Sequence, residues 1–132
     1  MIIAGLVLAG VAALIHIFIF YLESIAWTSP RARAVFGTTK EEANASTTKA
    51  LAFNQGFYNL FLAIAAILGI VLVTAGQLSV GAALLFVGTG SMAAAALVLL
   101  ISSPDKVSAA LKQGVVPVLA AGTLAAGLFI SG

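Results

Sequence analysis

The chain has 132 residues, of which 62% are hydrophobic and only 8% are charged. Soluble domains are about 25% charged, and disordered chains combine low hydrophobicity with high charge. With a mean hydropathy of +1.20, the chain is therefore expected to be a multi-pass integral protein of the cell (cytoplasmic) membrane. It has no cysteine and one histidine, which excludes disulfides, thiolate metal sites and multi-histidine sites within one chain. We expect no metal and no cofactor.

Four apolar stretches are long enough to supply the roughly 20 residues that a membrane-spanning helix needs. In chain order they cover residues of about 2–27, 50–74, 78–101 and 107–130. Their continuous Ala- and Leu-rich runs favour helices, because the strands of a membrane β-barrel alternate apolar and polar residues. We predict an all-α membrane protein with four transmembrane helices in an up-down bundle, and residues 1–132 as a single transmembrane domain.

The basic residues predict the orientation of these helices. Between the first two spans lie Arg31, Arg33, Lys40 and Lys49. Lys106 lies between the last two spans, and the other connection carries no charge. Because cytoplasmic segments hold the excess of Lys and Arg, we expect residues 28–48 to form a cytoplasmic loop and both termini to lie outside. The net charge of +2 reflects this anchoring, and we expect no binding to nucleic acid.

The segment 28–48 is the only sizeable polar stretch. Ser29-Pro30 is expected to end the first helix, and Thr39 with Glu42 three residues later fits a capping box. This pattern predicts a solvated loop with a short helix, or a second span that begins near Lys40 and extends out of the membrane. A ligand-gating segment is a further alternative.

Small residues are abundant in the last two spans, at residues 88–96 and 121–127. They let helices approach closely in lipid and indicate packing faces, either within the bundle or between protomers. Because a bundle of four helices is too narrow to enclose a sizeable transport pathway, we expect a homo-oligomer. Gln-Gly pairs at 55–56 and 113–114, with Ser-Pro pairs closing the first and third spans, also suggest an internal duplication.

Polar side chains inside the spans are the candidate functional residues, because ionisable groups in hydrocarbon are costly and usually face the bundle interior. His16 and Glu23 are seven residues apart and are expected to share one helix face. Counted at about 1.5 Å per residue, the polar residues of three spans lie in one layer in the cytoplasmic half. The candidates for a binding or proton-handling pocket are His16, Glu23, Asn54, Gln55, Tyr58, Asn59 and Gln113. Secondary candidates are Trp27 and Lys112.

These residues have an alternative interpretation, a buried hydrogen-bond network that only holds the bundle together. The presence of an imidazole and a carboxylate favours a functional pocket, because Asn and Gln side chains alone would suffice for a structural network. Lys112 is expected to extend towards the headgroups, and Trp27 with Tyr21 fits the interfacial aromatic belt.

At these residues the sequence resembles a bacterial family of small inner-membrane proteins, the domain of unknown function 1304 family. The matching stretches are residues 16–23 (HIFIFYLE) with Trp27, Glu41-Glu42-Ala43, residues 54–63 beginning NQGFYN, and Gln113-Gly114 with Pro117. The resemblance covers nearly the whole chain. It implies four spans and brings no activity with it.

Three functions are compatible with this pattern. The favoured one is a proton- or cation-linked small-molecule transporter with a pocket open to the cytoplasm, which predicts a wet cavity at Glu23. The second is an accessory or structural subunit without catalysis, which predicts a dry and fully satisfied polar network. The third, an intramembrane enzyme acting on a lipid or quinone through His16 and Glu23, is less favoured and predicts an acyl-chain cleft beside His16. The expected partners are membrane lipids and a small molecule or ion of unknown identity.

Overall fold

The computed structural model describes the backbone of residues 1–131 and the side chains of residues 1–130. Within this part, the chain forms helices and no strand: α1 (Ile2–Phe20), a π-helical turn (Tyr21–Ile25), α2 (Pro30–Phe36), α3 (Lys40–Asn44), α4 (Ser46–Thr74), α5 (Leu78–Ser102), a 3-10 turn (Pro104–Lys106) and α6 (Val107–Ser131). Four described segments are long and apolar enough to cross a membrane, namely Ile2–Ile25, Ser46–Thr74, Leu78–Ser102 and Pro104–Ile130. The predicted all-α membrane fold with four spans is confirmed.

The four long helices form a closed up-down bundle. Helix α4 packs against α1 and α5, and α6 packs against α5 and returns to α1, whereas α1 and α5 on the diagonal barely touch. Helices α2 and α3 lie at the same end of the bundle as the turn before α6. We call this the loop end.

The bundle interior is built mainly from small side chains. It contains two apolar clusters. One consists of Met92 with four alanines, and the other of Leu85 with Ala9, Ala120 and Leu124. Where α4 crosses α5, a Cβ atom added at Gly69 or at Gly81 would lie 2.8 Å from the other glycine's carbonyl oxygen. Helices in lipid gain stability from such close packing, since lipid tails are as apolar as the side chains.

Local capping explains the helices of the polar segment. In α2, the Ser29 hydroxyl accepts a hydrogen bond from the Ala32 amide (3.1 Å), and Gly37 ends the helix in the left-handed conformation with φ +63°. In α3, the predicted capping box is confirmed, because Glu42 Oε2 and Thr39 Oγ1 each accept from the other residue's amide.

The helix that begins at Lys40 is separate from α4. It ends at Asn44, and Ala45 is extended with ψ 135° before α4 starts at Ser46. The alternative of one continuous second helix is therefore wrong. Ser, Thr and Asn compete with the backbone for hydrogen bonds and favour helix ends, and the break lies among residues of this kind.

Candidate functional site

The candidate site begins at an irregularity in the first span. Residues Tyr21–Ile25 form a π-helical turn, in which the Ala26 amide donates to the Tyr21 carbonyl five residues back (2.9 Å). A π turn accommodates one extra residue in a helix and is frequent at functional sites. The third residue of this turn is Glu23, whose direction is therefore set by the π turn rather than by the regular helix before it.

Helix α4 accommodates the π turn through a glycine. A Cβ atom at Gly56 would lie 2.1 Å from Ser24 Oγ, 3.0 Å from Ser24 N and 3.1 Å from Glu23 Cβ. Beside it, Ser24 Oγ donates a hydrogen bond to the Phe53 carbonyl of α4 (2.8 Å). Gly56 thus lets Glu23 approach the polar face of α4.

Glu23 is held by an amide from that face. Asn59 Nδ2 donates to Glu23 Oε2 at 2.7 Å and, over 3.2 Å, to the Gln55 carbonyl of its own helix. Asn59 is only 6% exposed. This interhelical bond joins the first and second spans and leaves further lone pairs of the carboxylate free to accept other donors.

A cavity of about 310 Å³ opens beside this pair at the loop end. All four spans contribute to its wall, and α2 contributes Phe36. Its polar residues are Glu23, Thr38, Gln55, Asn59, Lys106 and Gln113. A second cavity of about 280 Å³ lies between the π turn and the start of α4, and it shares Glu23, Trp27 and Gln55 with the first.

Two polar atoms at the cavity are buried without a hydrogen-bond partner, Trp27 Nε1 and Thr38 Oγ1. Buried polar groups are nearly always hydrogen-bonded to protein or to ordered water. The Trp27 and Phe36 rings lie 5.6 Å apart and form an aromatic part of the same wall. The cavity therefore offers a carboxylate, amides and aromatic side chains, whereas the Trp27 N–H is buried behind its surface.

Lys106 closes part of the loop end. Its Nζ donates to the Gly37 carbonyl, 69 residues away in the chain, and lies 3.6 Å from the Asp105 carboxylate. The ammonium thereby ties the end of α2 to the start of α6. The ion pair of Lys106 found among the described residues is with Asp105 and not with Glu23.

The structure brings only part of the predicted set together. Glu23, Gln55, Asn59, Gln113 and Trp27 line the cavity. The expected role of these residues remains a prediction. Trp27 packs on Phe36 and lines the cavity, and its expected place in the interfacial belt stays a prediction.

The expectation that Asn54 and Tyr58 converge on the same site is wrong. Tyr58 is 63% exposed, and the exposed Asn54 donates its amide to the Ala50 carbonyl of its own helix (3.1 Å). The physical reason is helix geometry: adjacent residues differ by about 100° in direction. Once Gln55 and Asn59 face the cavity, Asn54 and Tyr58 lie on the neighbouring face towards lipid.

His16 and Lys112 also lie outside the cavity. His16 is 1% exposed, and its Nδ1 donates to the Ala12 carbonyl one turn earlier (2.9 Å). The two cavities that Glu23 lines do not include His16 in their walls, and the acid–base pair of the enzyme alternative stays a prediction. Lys112 is exposed on α6 and lines a separate groove between α1 and α6.

Sequence reasoning missed the contribution of the polar segment. Phe36, Thr38 and Lys106 line the cavity, although they lie in stretches that were expected to be solvated. A signal was present: Ser29, Pro30 and Gly37 are the N-cap, first residue and C-terminal glycine of a short helix. The position of α2 against the loop end of the bundle depends on contacts between residues far apart in the chain, and a local sequence pattern does not predict these.

A metal ion would find few charged ligands here. Among the described residues, no three His, Cys, Asp or Glu side chains come together. Glu23 with the amide oxygens of Asn59, Gln55 and Gln113 offers one carboxylate and neutral oxygens. Such a set suits a monovalent or organic cation better than a divalent metal, for which several carboxylates are typical.

Comparison with known proteins identifies a family and nothing narrower. A family model described as protein of unknown function (DUF1304) matches residues 10–129. No curated protein and no solved structure matches the chain. The matched range contains every residue that lines the cavity, so the site belongs to the part of the chain that defines the match.

Proposed function

This chain belongs to the DUF1304 family of proteins of unknown function, and we propose that it is a transporter that binds a small organic cation at Glu23. Its transport would be linked to protons or inorganic cations, which exchange with the solute at the same carboxylate. The site would open to the cytoplasm, as the distribution of Lys and Arg predicts.

The observation that carries this proposal is a carboxylate in a cavity without a basic partner. Glu23 lies where the four spans meet the loop end, and its hydrogen-bond donor is the neutral amide of Asn59. Lys106, the nearest cation of the cavity wall, is engaged by Gly37 and Asp105. Intramembrane carboxylates are costly, and they commonly mark substrate or ion pathways.

The remaining wall narrows the chemical class of the solute. Trp27 and Phe36 offer aromatic faces, which attract cations within about 6 Å of the ring centre. A primary ammonium would satisfy the carboxylate and the rings, and a nearby hydroxyl would hydrogen-bond to the amides of Gln55 and Gln113 in the same wall.

Trp27 allows a direct binding experiment, because it is the only tryptophan of the chain and lies in the cavity wall. The purified protein is titrated with ethanolammonium, ethylammonium and neutral ethanol at constant ionic strength, with tryptophan emission as the readout. We expect saturable changes with both ammonium ions, tighter binding of ethanolammonium because its hydroxyl can hydrogen-bond to the Gln55 and Gln113 amides of the wall, and no change with ethanol.

Variants locate the binding. In Glu23→Gln the apparent dissociation constant should rise at least about tenfold, since a hydrogen bond to a charged group contributes about 1.5–3 kcal/mol. Glu41→Gln is the matched control, because Glu41 is an exposed carboxylate of α3. Equal responses to ethanol, or equal affinities in both variants, would instead favour the accessory or structural role.

Transport needs a separate measurement. Proteoliposomes loaded with unlabelled ethanolammonium should take up labelled ethanolammonium by exchange, with a dye inside the vesicles reporting any accompanying proton movement. Glu23→Gln should abolish the exchange, whereas Glu41→Gln should retain it. If the protein binds ethanolammonium but does not exchange it, the transport proposal is contradicted and the protein only binds the solute.

A further inference from the structure

A second groove lies on the membrane face of the bundle, where α1 and α6 pack together. It has a volume of about 120 Å³, and α2 covers its loop end through Val35. Its wall on the first span is apolar, formed by Ile15, Phe18, Ile19 and Leu22. Ile19 and Leu22 are buried, Ile15 is half-buried and Phe18 is 39% exposed, so the groove reaches the lipid-facing surface at Phe18.

Two cations border this groove. Lys112 of α6 is exposed and is the charged residue of the groove wall. The guanidinium of Arg31, at the start of α2, lies over the Phe18 ring with Cζ 5.0 Å from its centre. Arg31 and Lys112 thus approach the apolar groove from two different helices.

Neither cation has an anionic partner in the described chain, residues 1–131. The ion pair found there joins Lys106 to Asp105. The other carboxylates are Glu23, in the central cavity, and Glu41 and Glu42, on the exposed surface of α3. Two positive charges at a membrane-facing groove are therefore left for an anion from outside the protein.

Their depth indicates which anion this is. Lys112 lies eight residues after the start of the fourth span at Pro104, which is about 12 Å along the helix axis. A lysine near a helix end extends its ammonium towards the headgroup layer. Arg31 follows the end of the first span at Ile25, close to the same layer, where the abundant anions are lipid phosphates.

We propose that the groove between α1 and α6 is a binding site for a phospholipid with an anionic headgroup. One acyl chain packs against Phe18 and Ile15, the wall residues of the first span that are not fully buried, and the headgroup accepts hydrogen bonds from Lys112 and Arg31. The groove and the Glu23 cavity share Phe36, Ala109 and Gln113 in their walls. The charged contacts of the two sites are nevertheless distinct, because neither Arg31 nor Lys112 lines the Glu23 cavity.

Native mass spectrometry of the full chain in a mild detergent tests the proposal. The probes are dioleoyl-phosphatidylglycerol, which carries a net negative charge, and dioleoyl-phosphatidylcholine, which is neutral with the same chains. We expect the anionic lipid to remain bound at one per chain with at least about tenfold higher affinity than the neutral lipid. The water-soluble headgroup, glycerol phosphate, should not displace it, because it lacks the acyl chain.

Charge-removing variants separate this site from general surface attraction. The double variant Arg31→Gln/Lys112→Gln should weaken binding of the anionic lipid at least about tenfold, since each cation near a membrane contributes appreciably to attraction of acidic lipids. Lys40→Gln/Lys49→Gln removes two exposed cations that do not line the groove and should change affinity little. Unchanged Trp27 emission confirms that both variants are folded.

Two results would overturn the proposal. Equal retention of the neutral lipid would show that the groove binds acyl chains without regard to charge. Equal losses in the two double variants would show that the attraction is spread over the basic segment. Both results are unaffected by the solute experiments.

Discussion

The substitution Gly56→Ala tests how closely the π turn and α4 must approach each other. The added Cβ would lie 2.1 Å from Ser24 Oγ and 3.0 Å from Ser24 N. The hydroxyl can rotate away, but it then loses its hydrogen bond to the Phe53 carbonyl. The backbone amide cannot rotate, so the two helices must separate by several tenths of an ångström.

The expected cost follows from three effects. Overpacking costs about 1–3 kcal/mol, and an interhelical hydrogen bond in a membrane contributes about 0.6 kcal/mol on average. Against these, Ala in place of Gly stabilises a helix interior by about 0.8–1.0 kcal/mol. We expect Gly56→Ala to lower the free energy of unfolding by about 0.6–2.8 kcal/mol and to shift the emission of Trp27, four residues from Glu23.

Reversible unfolding in mixed micelles, followed by circular dichroism, measures the change. Gly90→Ala is the matched control, because a Cβ at Gly90 meets nothing within 4 Å; it should be neutral or stabilising by up to about 1 kcal/mol. In the Ser24→Ala background the shortest contact is absent, so Gly56→Ala should cost less there. If Gly56→Ala is as stable as Gly90→Ala in the wild-type background, the close approach is refuted.

Two further predictions concern the Glu23 bond and the orientation. Asn59→Ala should lower the free energy of unfolding by about 0.6–1.7 kcal/mol, the range for interhelical hydrogen bonds, in the same unfolding assay; no loss in this variant would mean that the bond contributes nothing. For orientation, a membrane-impermeant thiol reagent added outside cells should modify a cysteine placed at Gly76 and spare one at Ala34, as the Lys and Arg distribution predicts. The opposite labelling pattern would show that the orientation is the reverse of the predicted one.

Much of the architecture could be predicted because membrane spans are specified by local composition. Uninterrupted apolar runs locate all four spans, and the structure changes their ends by only a few residues. The capping box at Thr39 and Glu42 was likewise readable, since both its hydrogen bonds join residues three apart. Such features depend on neighbours in the chain.

The site was less predictable because it depends on departures from regular geometry. A seven-residue spacing puts His16 and Glu23 on one face only if the helix between them is regular, and the π turn at Tyr21–Ile25 breaks that condition. Distant contacts matter as well: the bond from Lys106 to the Gly37 carbonyl brings α2 under the bundle. No periodicity within either segment reports that contact.

The alanine- and glycine-lined interior has a consequence for how this protein tolerates mutation. In a soluble core of large side chains, truncation is the damaging change, because it leaves a cavity. Here the fully buried alanines, such as Ala12 and Ala66, have almost nothing to lose by truncation. Damage instead comes from enlargement, which forces helices apart. In a library of substitutions at every position, larger residues should therefore be excluded at the buried alanines and glycines. Smaller residues should be accepted on most of the lipid-facing surface.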